Sequence, residues 1–314
     1  MHMLTWELVG AVIGAGLASG REIASFFSRY GAWSFVGIIL AVLVMVFLAD
    51  THIPQSWRKH WPEALWSALL TLLLIATGGA MLSGAGEIAA LTLPLHGAYW
   101  IGMTATLLLS WFLAYRTVSG LAWVSRVLLA VLALLIVCGL TIPPMQAVTL
   151  YPVSVPTALL RGMTYGGFNA ALLVPIMALS VRYSQRQRQR AAMCAGLLIL
   201  LLLLLGNAVL LRHPALLGEA MPFLRMLMSF GKFGYYLGSA CLYLAILSTL
   251  TACLRGLGQR PVFSAGIVLV ALLGFTGVVE TAYPLLGCGC FLLLAAAKFT
   301  NSAPASFISP RDML

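Results

Sequence analysis

Short polar stretches divide the chain into apolar runs, most of them long enough to cross a bilayer. A membrane-spanning helix needs about 20 apolar residues, and ten runs approach this length. They fall at residues 4–30, 32–50, 63–93, 97–115, 118–140, 153–181, 191–211, 233–257, 262–279 and 281–298. Residues 212–232 contain two prolines and several charges, which predicts an external loop with a short helix. The pattern predicts an all-α integral membrane protein with about ten transmembrane helices.

Composition and charge agree with this class and exclude others. The sequence is 61% hydrophobic and only 8% charged, which is far from a soluble domain. Its net charge of +10 does not indicate nucleic acid, because the basic residues are spread over several loops. If the N-terminus is cytoplasmic, eleven of the 18 basic residues lie on the inner side and four on the outer side. The positive-inside rule then predicts a multi-pass protein of the cell membrane with both termini cytoplasmic.

The first apolar run contains a stretch that is a poor membrane helix. Residues 9–22 read VGAVIGAGLASGRE, with four glycines followed by adjacent opposite charges. Glycine weakens a helix, and a charged pair in the membrane must face protein or water. The stretch predicts a helix that unwinds near Gly14 to Gly20 and frees backbone groups for an ion or a solute. The alternative is close helix packing, because Gly10/Gly14 and Gly16/Gly20 are both G-x-x-x-G pairs.

A similar stretch interrupts the sixth run. Residues 161–169 read RGMTYGGFN, and Pro175 follows. We expect this helix to be unwound around residues 164–169. The two interrupted helices are the first and the sixth of ten, so a single membrane domain (1–314) divides into halves of five helices, 4–140 and 153–298. An odd number of helices gives the halves opposite orientations, and paired interruptions in inverted halves are typical of a transporter site.

These motifs resemble a known superfamily. The run from Gly10 to Glu22, followed by Phe26-Phe27 and Tyr30-Gly31, and the run from Tyr165 to Asn169 resemble the YkvI-like membrane proteins. These are similar to the LeuT-type transporters of the amino acid–polyamine–organocation superfamily. The resemblance implies a 5+5 inverted repeat with broken helices 1 and 6 and secondary active transport of a small solute, an amino acid or related amine. It implies no cofactor apart from a coupling ion, and it leaves the oligomeric state open.

The resemblance also implies a sodium site. In sodium-coupled members, one cation lies between helix 1 and helix 8, held by two carbonyls before the break and by a carbonyl and two hydroxyls of helix 8. The matching ligands here are the carbonyls of Gly10 and Ile13 and the oxygens of Ala245, Ser248 and Thr249. Unwound carbonyls and hydroxyls suit a hard monovalent cation. The alternative is that the hydroxyls bond to their own helix. A proton-coupled member is expected to carry a Lys in the fifth run. This chain has Arg126 there, and an arginine stays protonated and is a poor proton carrier.

The substrate site is expected at the two interruptions. The amides around Ala18, Ser19 and Gly20 begin the second half of helix 1, where a carboxylate can bind. Glu22 is a candidate for binding a substrate amine or for pairing with Arg161, and Glu87 for pairing with Arg21 or Arg161. The full predicted substrate set is Gly16, Ala18, Ser19, Gly20, Glu22, Ser83, Glu87, Thr164, Tyr165, Gly166, Phe168, Asn169 and Tyr243.

Two other classes compete with a transporter. An enzyme is not expected, because all five histidines lie at run ends or in loops and Leu17 departs from the G-x-S-G pattern of rhomboid-like proteases. A ligand-sensing receptor on the same fold, similar to spore-germinant subunits, stays open. Solute uptake driven by a sodium gradient distinguishes a transporter from such a receptor.

Overall fold

The described part of the chain is built from helices. The computed structural model describes residues 2–51, 61–115, 154–180 and 182–302, with positions 130, 132–133, 136–137 and 139–143 between them. The helices are α1 (His2–Val12), α2 (Ala15–Ala18), α3 (Arg21–Phe26), α4 (Trp33–Ala49), α5 (Trp61–Thr92), α6 (Ala98–Tyr115), α7 (Val155–Leu179), α8 (Gln185–Arg212), α9 (Pro222–Leu227), α10 (Gly231–Gly256), α11 (Pro261–Ala271), α12 (Gly274–Gly277) and α13 (Tyr283–Ser302).

Several of these elements match the predicted spans. In the described residues, six segments are long and apolar enough to cross a membrane, and three further apolar helices are shorter. The six begin at Pro62, Ala98, Val155, Gln185, Pro222 and Gly274. The predicted short helix in loop 212–232 is present as α9, after a 3-10 turn at Pro214–Gly218. The fifth predicted span, 118–140, lies mostly outside the described residues, so the count of ten and the inverted repeat stay predictions.

The boundary between the ninth and tenth predicted spans is wrong. Helix α11 ends at Ala271, and the next helical segment begins at Gly274, whose φ of +75° is left-handed. Glycine adopts this conformation without strain, so it separates the two helices here rather than near residue 280. The last segment then continues through a π-helical turn, Val278–Ala282, into α13. Glu280 therefore lies inside a helical segment and not in a loop.

The predicted interruption of the sixth span is also wrong. Helix α7 is a continuous α-helix from Val155 to Leu179 and passes through all of residues 161–169. Its glycines make room for neighbouring helices. A Cβ at Gly162 would lie 2.5 Å from the Gly37 carbonyl oxygen of α4, and one at Gly166 would lie 2.5 Å from the Ala41 carbonyl oxygen. Close packing, rather than unwinding, explains these small residues.

A substitution at this contact tests the packing explanation. We expect Gly162→Ala to destabilise the protein by about 1–3 kcal/mol, because the methyl group would press on rigid backbone of α4. Gly277→Ala is the matched control, since its Cβ would meet Leu273 Cβ at an ordinary 3.6 Å. Thermal unfolding in detergent measures both variants. Equal unfolding midpoints for the two variants would contradict tight α4–α7 packing.

The packing of the long helices encloses the pieces of the first span. Helix α7 lies between α4 and α13, and α5 packs against α6, α10 and α11. Helix α1 packs on α8, while α2 contacts α10 and α5, and α3 contacts α7 and the π-helical turn. The short pieces α2 and α3 are thus surrounded by long helices from both ends of the chain.

Candidate functional site

The first span is unwound where the sequence predicts it. Helix α1 ends at Val12, and the Gly14 amide donates to the Val12 carbonyl (2.8 Å) instead of to Gly10. The backbone then resumes as the single turn α2, in which the Ala18 amide donates to the Gly14 carbonyl (3.0 Å). The carbonyls of Gly10 and Ile13 are therefore left without the amide that a continuous helix would supply.

A second interruption separates α2 from α3. Gly20 has a φ of +81°, and a Cβ there would lie 3.0 Å from the Phe223 ring. Both features require glycine. The Ser19 hydroxyl donates to the Gly16 carbonyl (2.9 Å) and accepts from the Arg21 amide (3.2 Å), while the Ser19 carbonyl accepts from the Phe223 amide (2.9 Å). Helix α9 is thereby tied to the interruption.

Three backbone amides at this second interruption, where a carboxylate site is expected, are bonded within the chain. The Ala18 amide donates to Gly14, the Gly20 amide to the Leu17 carbonyl (3.0 Å), and the Arg21 amide to the Ser19 hydroxyl. These donors are satisfied within the chain, so they are not available to a ligand. In addition, α3 has only six residues, which leaves it with a small dipole.

Three residues of α10, the eighth predicted span, are expected to bind sodium, and two of them bond to each other. The Ser248 hydroxyl donates to the Ala245 carbonyl (2.9 Å), which is the alternative arrangement that the sequence allows. Thr249 is different. A Cβ on Gly14 would lie 3.8 Å from Thr249 Oγ1 and 3.9 Å from Thr249 Cγ2, so this side chain lies beside the first interruption. Thr249 has no hydrogen bond to any residue that the structure describes.

Glu22 is buried beside the interruption. The residue is 5% exposed, and its Oε2 accepts a hydrogen bond from the Tyr165 hydroxyl of α7 (3.1 Å). Its carboxyl group lies against Gly16, where a Cβ would overlap Oε1. The predicted pairing with Arg161 is absent, and within the described residues Tyr165 is the hydrogen-bond partner of Glu22.

Two further hydroxyls belong to this region and were not identified from the sequence. The Tyr283 hydroxyl of α13 lies within electrostatic range of Glu22 and near the Thr77 hydroxyl of α5. Both residues are buried, and their two hydroxyls are neighbours that can bond to each other. We call Glu22, Tyr165, Tyr283 and Thr77 the Glu22 site.

The other predicted substrate residues are distributed around this site. Phe168 stacks on the Tyr283 ring, with centroids 4.4 Å apart. Asn169 donates to the Tyr165 carbonyl (3.0 Å), and Tyr165 packs edge-on against Phe26 and Phe27. The remaining hydroxyls are occupied elsewhere: Ser83 bonds to Gly79 and Ala80, Thr164 to Arg161, and Tyr243 to Thr106. Gly166 faces α4 and so does not line the site.

A separate charged cluster lies next to loop 213–230. Glu280 Oε1 accepts from Arg21, which is only 2% exposed, and from Arg29 Nη2 (2.6 Å). Arg21 Nη1 also donates to the carbonyls of Leu217 (3.0 Å) and Glu219 (2.9 Å). This Glu280 cluster joins α3, the π-helical turn and the loop. Glu87 is not the partner of Arg21, contrary to one of the alternatives open from the sequence.

The chain is similar in sequence to two uncharacterized proteins of Bacillus subtilis. No known protein-family profile matches the chain. The uncharacterized membrane protein YkvI of Bacillus subtilis (strain 168) is a homologue, 25% identical over 325 residues, covering 90% of this chain and 91% of the relative. The uncharacterized protein YyaD of the same organism is 24% identical over 329 residues, covering 90% and 92%.

A solved structure has the same architecture. The inward-facing conformation of Mhp1 matches 94% of this chain and 72% of the Mhp1 chain, with a TM-score of 0.51 and 14% sequence identity. Mhp1 has the LeuT fold. The chain is therefore a multi-pass membrane protein with the LeuT fold.

Proposed function

We propose, from this LeuT-type fold, that the protein is a secondary active transporter of a small amine-bearing solute, coupled to sodium and working by alternating access in the cell membrane. The coupling ion would lie between the first interruption and α10. The solute would lie beside it, at the Glu22 site.

One observation carries the sodium assignment. The Thr249 side chain, whose hydroxyl has no hydrogen bond in the described residues, lies beside Gly14, where the Gly10 and Ile13 carbonyls have lost their helical partners. Oxygen atoms from two separate helices, all neutral and all without a donor of their own, suit a monovalent hard cation. Sodium binding would complete the set by turning Ser248 and the Ala245 carbonyl from each other to the ion.

The Glu280 cluster supports alternating access. It connects the second half of the broken span to the last helical segment and to the loop, so it closes the site on that side. Closure on one side is what an alternating-access cycle needs in one of its states.

The experiment removes the Ser248 and Thr249 hydroxyls of α10. In Ser248→Ala/Thr249→Ala we expect the sodium concentration for half-maximal thermal stabilisation to rise at least tenfold, because two of about five oxygens are lost. The fold should lose only about 1 kcal/mol per hydroxyl. Thr251→Ala is the control, since its hydroxyl bonds to the Leu247 carbonyl on the same helix (2.7 Å).

Purified protein is titrated with sodium chloride against N-methylglucamine chloride at constant ionic strength. The half-maximal sodium concentration should be unchanged in Thr251→Ala and at least tenfold higher in the double variant. An unchanged response in the double variant would refute the site. A parent protein that ignores sodium and responds to a pH gradient would make the coupling ion a proton.

A further inference from the structure

Helix α8 is longer than the hydrocarbon core of a membrane. It has 28 residues, so at a rise of 1.5 Å per residue it is about 42 Å long. The hydrocarbon core is about 30 Å thick, and the headgroup layers bring the bilayer to about 40–45 Å. The apolar part of α8, residues 191–211, matches the core, and the helix begins with the polar sequence QRQRQR at 185–190. These six residues therefore extend about 9 Å into the headgroup layer.

The arginines of this polar segment lie on two different faces of α8. Arg188 lies on the face that packs on α4, where its Nε is 3.6 Å from Asp50 Oδ1, and its side chain is 13% exposed. Arg186 and Arg190 lie on the opposite side, one turn apart, and both are exposed. In the part of the chain that the structure describes, neither of these two has an ion pair. They are thus available to a negative charge from outside the protein.

The face of Arg186 and Arg190 continues into an apolar stripe. Met193, Leu197 and Leu201 follow Arg190 at steps of three or four residues, and they are 58%, 65% and 54% exposed. Large exposed apolar side chains along one face of a membrane helix contact acyl chains. The nearer arginine lies only one turn before this apolar stripe, at the level where acyl chains end and headgroups begin.

The residues before α8 lie at the same level. The Arg182 guanidinium carbon lies 5.0 Å from the centre of the Tyr183 ring, and tyrosine is enriched where a membrane meets water. Ser184 and Gln187 form a capping box, in which the Ser184 hydroxyl accepts from the Gln187 amide (3.3 Å) and the Gln187 side chain accepts from the Ser184 amide (2.9 Å). Because these amides are bonded within the chain, arginine side chains, rather than the helix terminus, are the groups that can bind an anion here.

We propose that Arg182, Arg186 and Arg190, the arginine face, bind the phosphate of an anionic phospholipid whose acyl chain lies along the apolar stripe. A guanidinium group donates two parallel hydrogen bonds to a phosphate, and a phosphate also relieves the repulsion between arginines one turn apart. A zwitterionic lipid carries its own cation, whereas a lipid of the phosphatidylglycerol type keeps its negative charge. The proposal does not depend on the transported solute or on the coupling ion.

The position of the arginine face favours a lipid over a soluble polyanion. An acidic protein or a nucleic acid would approach from water, but Arg186 and Arg190 lie on the same side of α8 as the acyl-chain contacts. Only a ligand that is itself part of the membrane contacts both the arginines and the apolar stripe. Both contacts should therefore be necessary for tight binding.

Lipid titrations of the purified full-length protein test the proposal. Delipidated protein in detergent is titrated with phosphatidylglycerol, with phosphatidylcholine of the same acyl chains, or with inorganic phosphate, and its thermal unfolding is followed. We expect phosphatidylglycerol to stabilise the protein with a half-maximal concentration at least tenfold lower than that of phosphatidylcholine. Inorganic phosphate should give no stabilisation at the same concentrations, because it cannot contact the apolar stripe.

A pair of substitutions on opposite faces of α8 separates the arginine face from net charge. Arg190→Gln should raise the half-maximal concentration of phosphatidylglycerol about fivefold, and Arg186→Gln/Arg190→Gln about 25-fold. Arg188→Gln is the matched control, since it removes the same charge from the same segment on the face toward Asp50. It should lower the unfolding midpoint but leave the half-maximal concentration unchanged. The single variant Arg190→Gln decides the question if the double variant does not fold.

Three results would overturn the proposal. Equal shifts in Arg190→Gln and Arg188→Gln would show that net charge, and not the arginine face, determines lipid binding. Equal stabilisation of the parent by the two lipids would exclude selection for an anionic headgroup. Stabilisation by inorganic phosphate or by heparin at concentrations as low as those of phosphatidylglycerol would assign the arginines to a soluble anion.

Discussion

Replacing Glu280 by glutamine is expected to loosen the contact between α3, the π-helical turn and the loop more than any other single change of charge. The substitution keeps the shape and a hydrogen-bond acceptor, but it leaves Arg21, only 3% exposed in its side chain, without a counter-charge. Removing one partner of a buried pair costs about 3–5 kcal/mol, and the 31% exposure of Glu280 reduces this to about 2–3 kcal/mol. We expect the loop and the π-helical turn to separate more often from α3.

Hydrogen–deuterium exchange measures this loosening locally. Peptides covering residues 213–230 and 274–283 should exchange faster in Glu280→Gln than in the parent, and those covering α7 should not change. Glu219→Gln is the matched control on the same side, because its ion pair with Arg225 is long (3.8 Å) and about half exposed. Equal exchange in Glu280→Gln and Glu219→Gln would show that the Glu280 cluster does not hold this side closed.

Gly16→Ala is expected to abolish binding of an ammonium probe with little loss of stability. The new methyl group would occupy the position of Glu22 Oε1, and the flexible carboxyl group, rather than the backbone, would move. Glu22→Ala should give the same loss of at least tenfold, because it removes the carboxyl group. The two substitutions act on one contact, so their effects should not add.

A double-mutant cycle with thermal titration of the probe tests this coupling. The double variant Gly16→Ala/Glu22→Ala should bind no worse than either single variant, and its unfolding midpoint should not be lower than that of Glu22→Ala. Additive losses of binding would mean that Gly16→Ala weakens binding independently of Glu22. The new methyl group would then not act by displacing the Glu22 carboxyl group.

The interruption of the first helix was predictable because several local signals agree. Residues 14–20 combine glycines with a following charge pair, and no continuous membrane helix accommodates both at low cost. The sixth span shows the limit of the same reasoning. Gly162 and Gly166 have the same G-x-x-x-G spacing as Gly16 and Gly20, but whether glycine unwinds a helix or admits a neighbour depends on what packs against it. Here the neighbours are the backbones of α4 and α13.

The residues that the sequence did not reveal are connected only by tertiary structure. The hydropathy pattern places Glu280 between two helices because it does not register the stop at Gly274, so it does not predict the pairing of Glu280 with Arg21 and Arg29. The one available signal is that buried arginines require carboxylates and the chain has only eight acidic residues. Thr77 and Tyr283 carry no such signal, since single hydroxyls are common in membrane helices and usually bond to their own backbone.

Uptake into proteoliposomes tests the central claim, sodium-driven transport of a small amine, most directly. The labelled probe is the ammonium compound that stabilises the purified protein most strongly, and the vesicles are loaded to give either an inward sodium gradient or equal sodium on both sides. The proposed function predicts accumulation of the probe above its external concentration only with the gradient, and none with Ser248→Ala/Thr249→Ala. Probe binding of the same affinity without any gradient-driven accumulation would contradict transport and would indicate a ligand-sensing receptor on this fold.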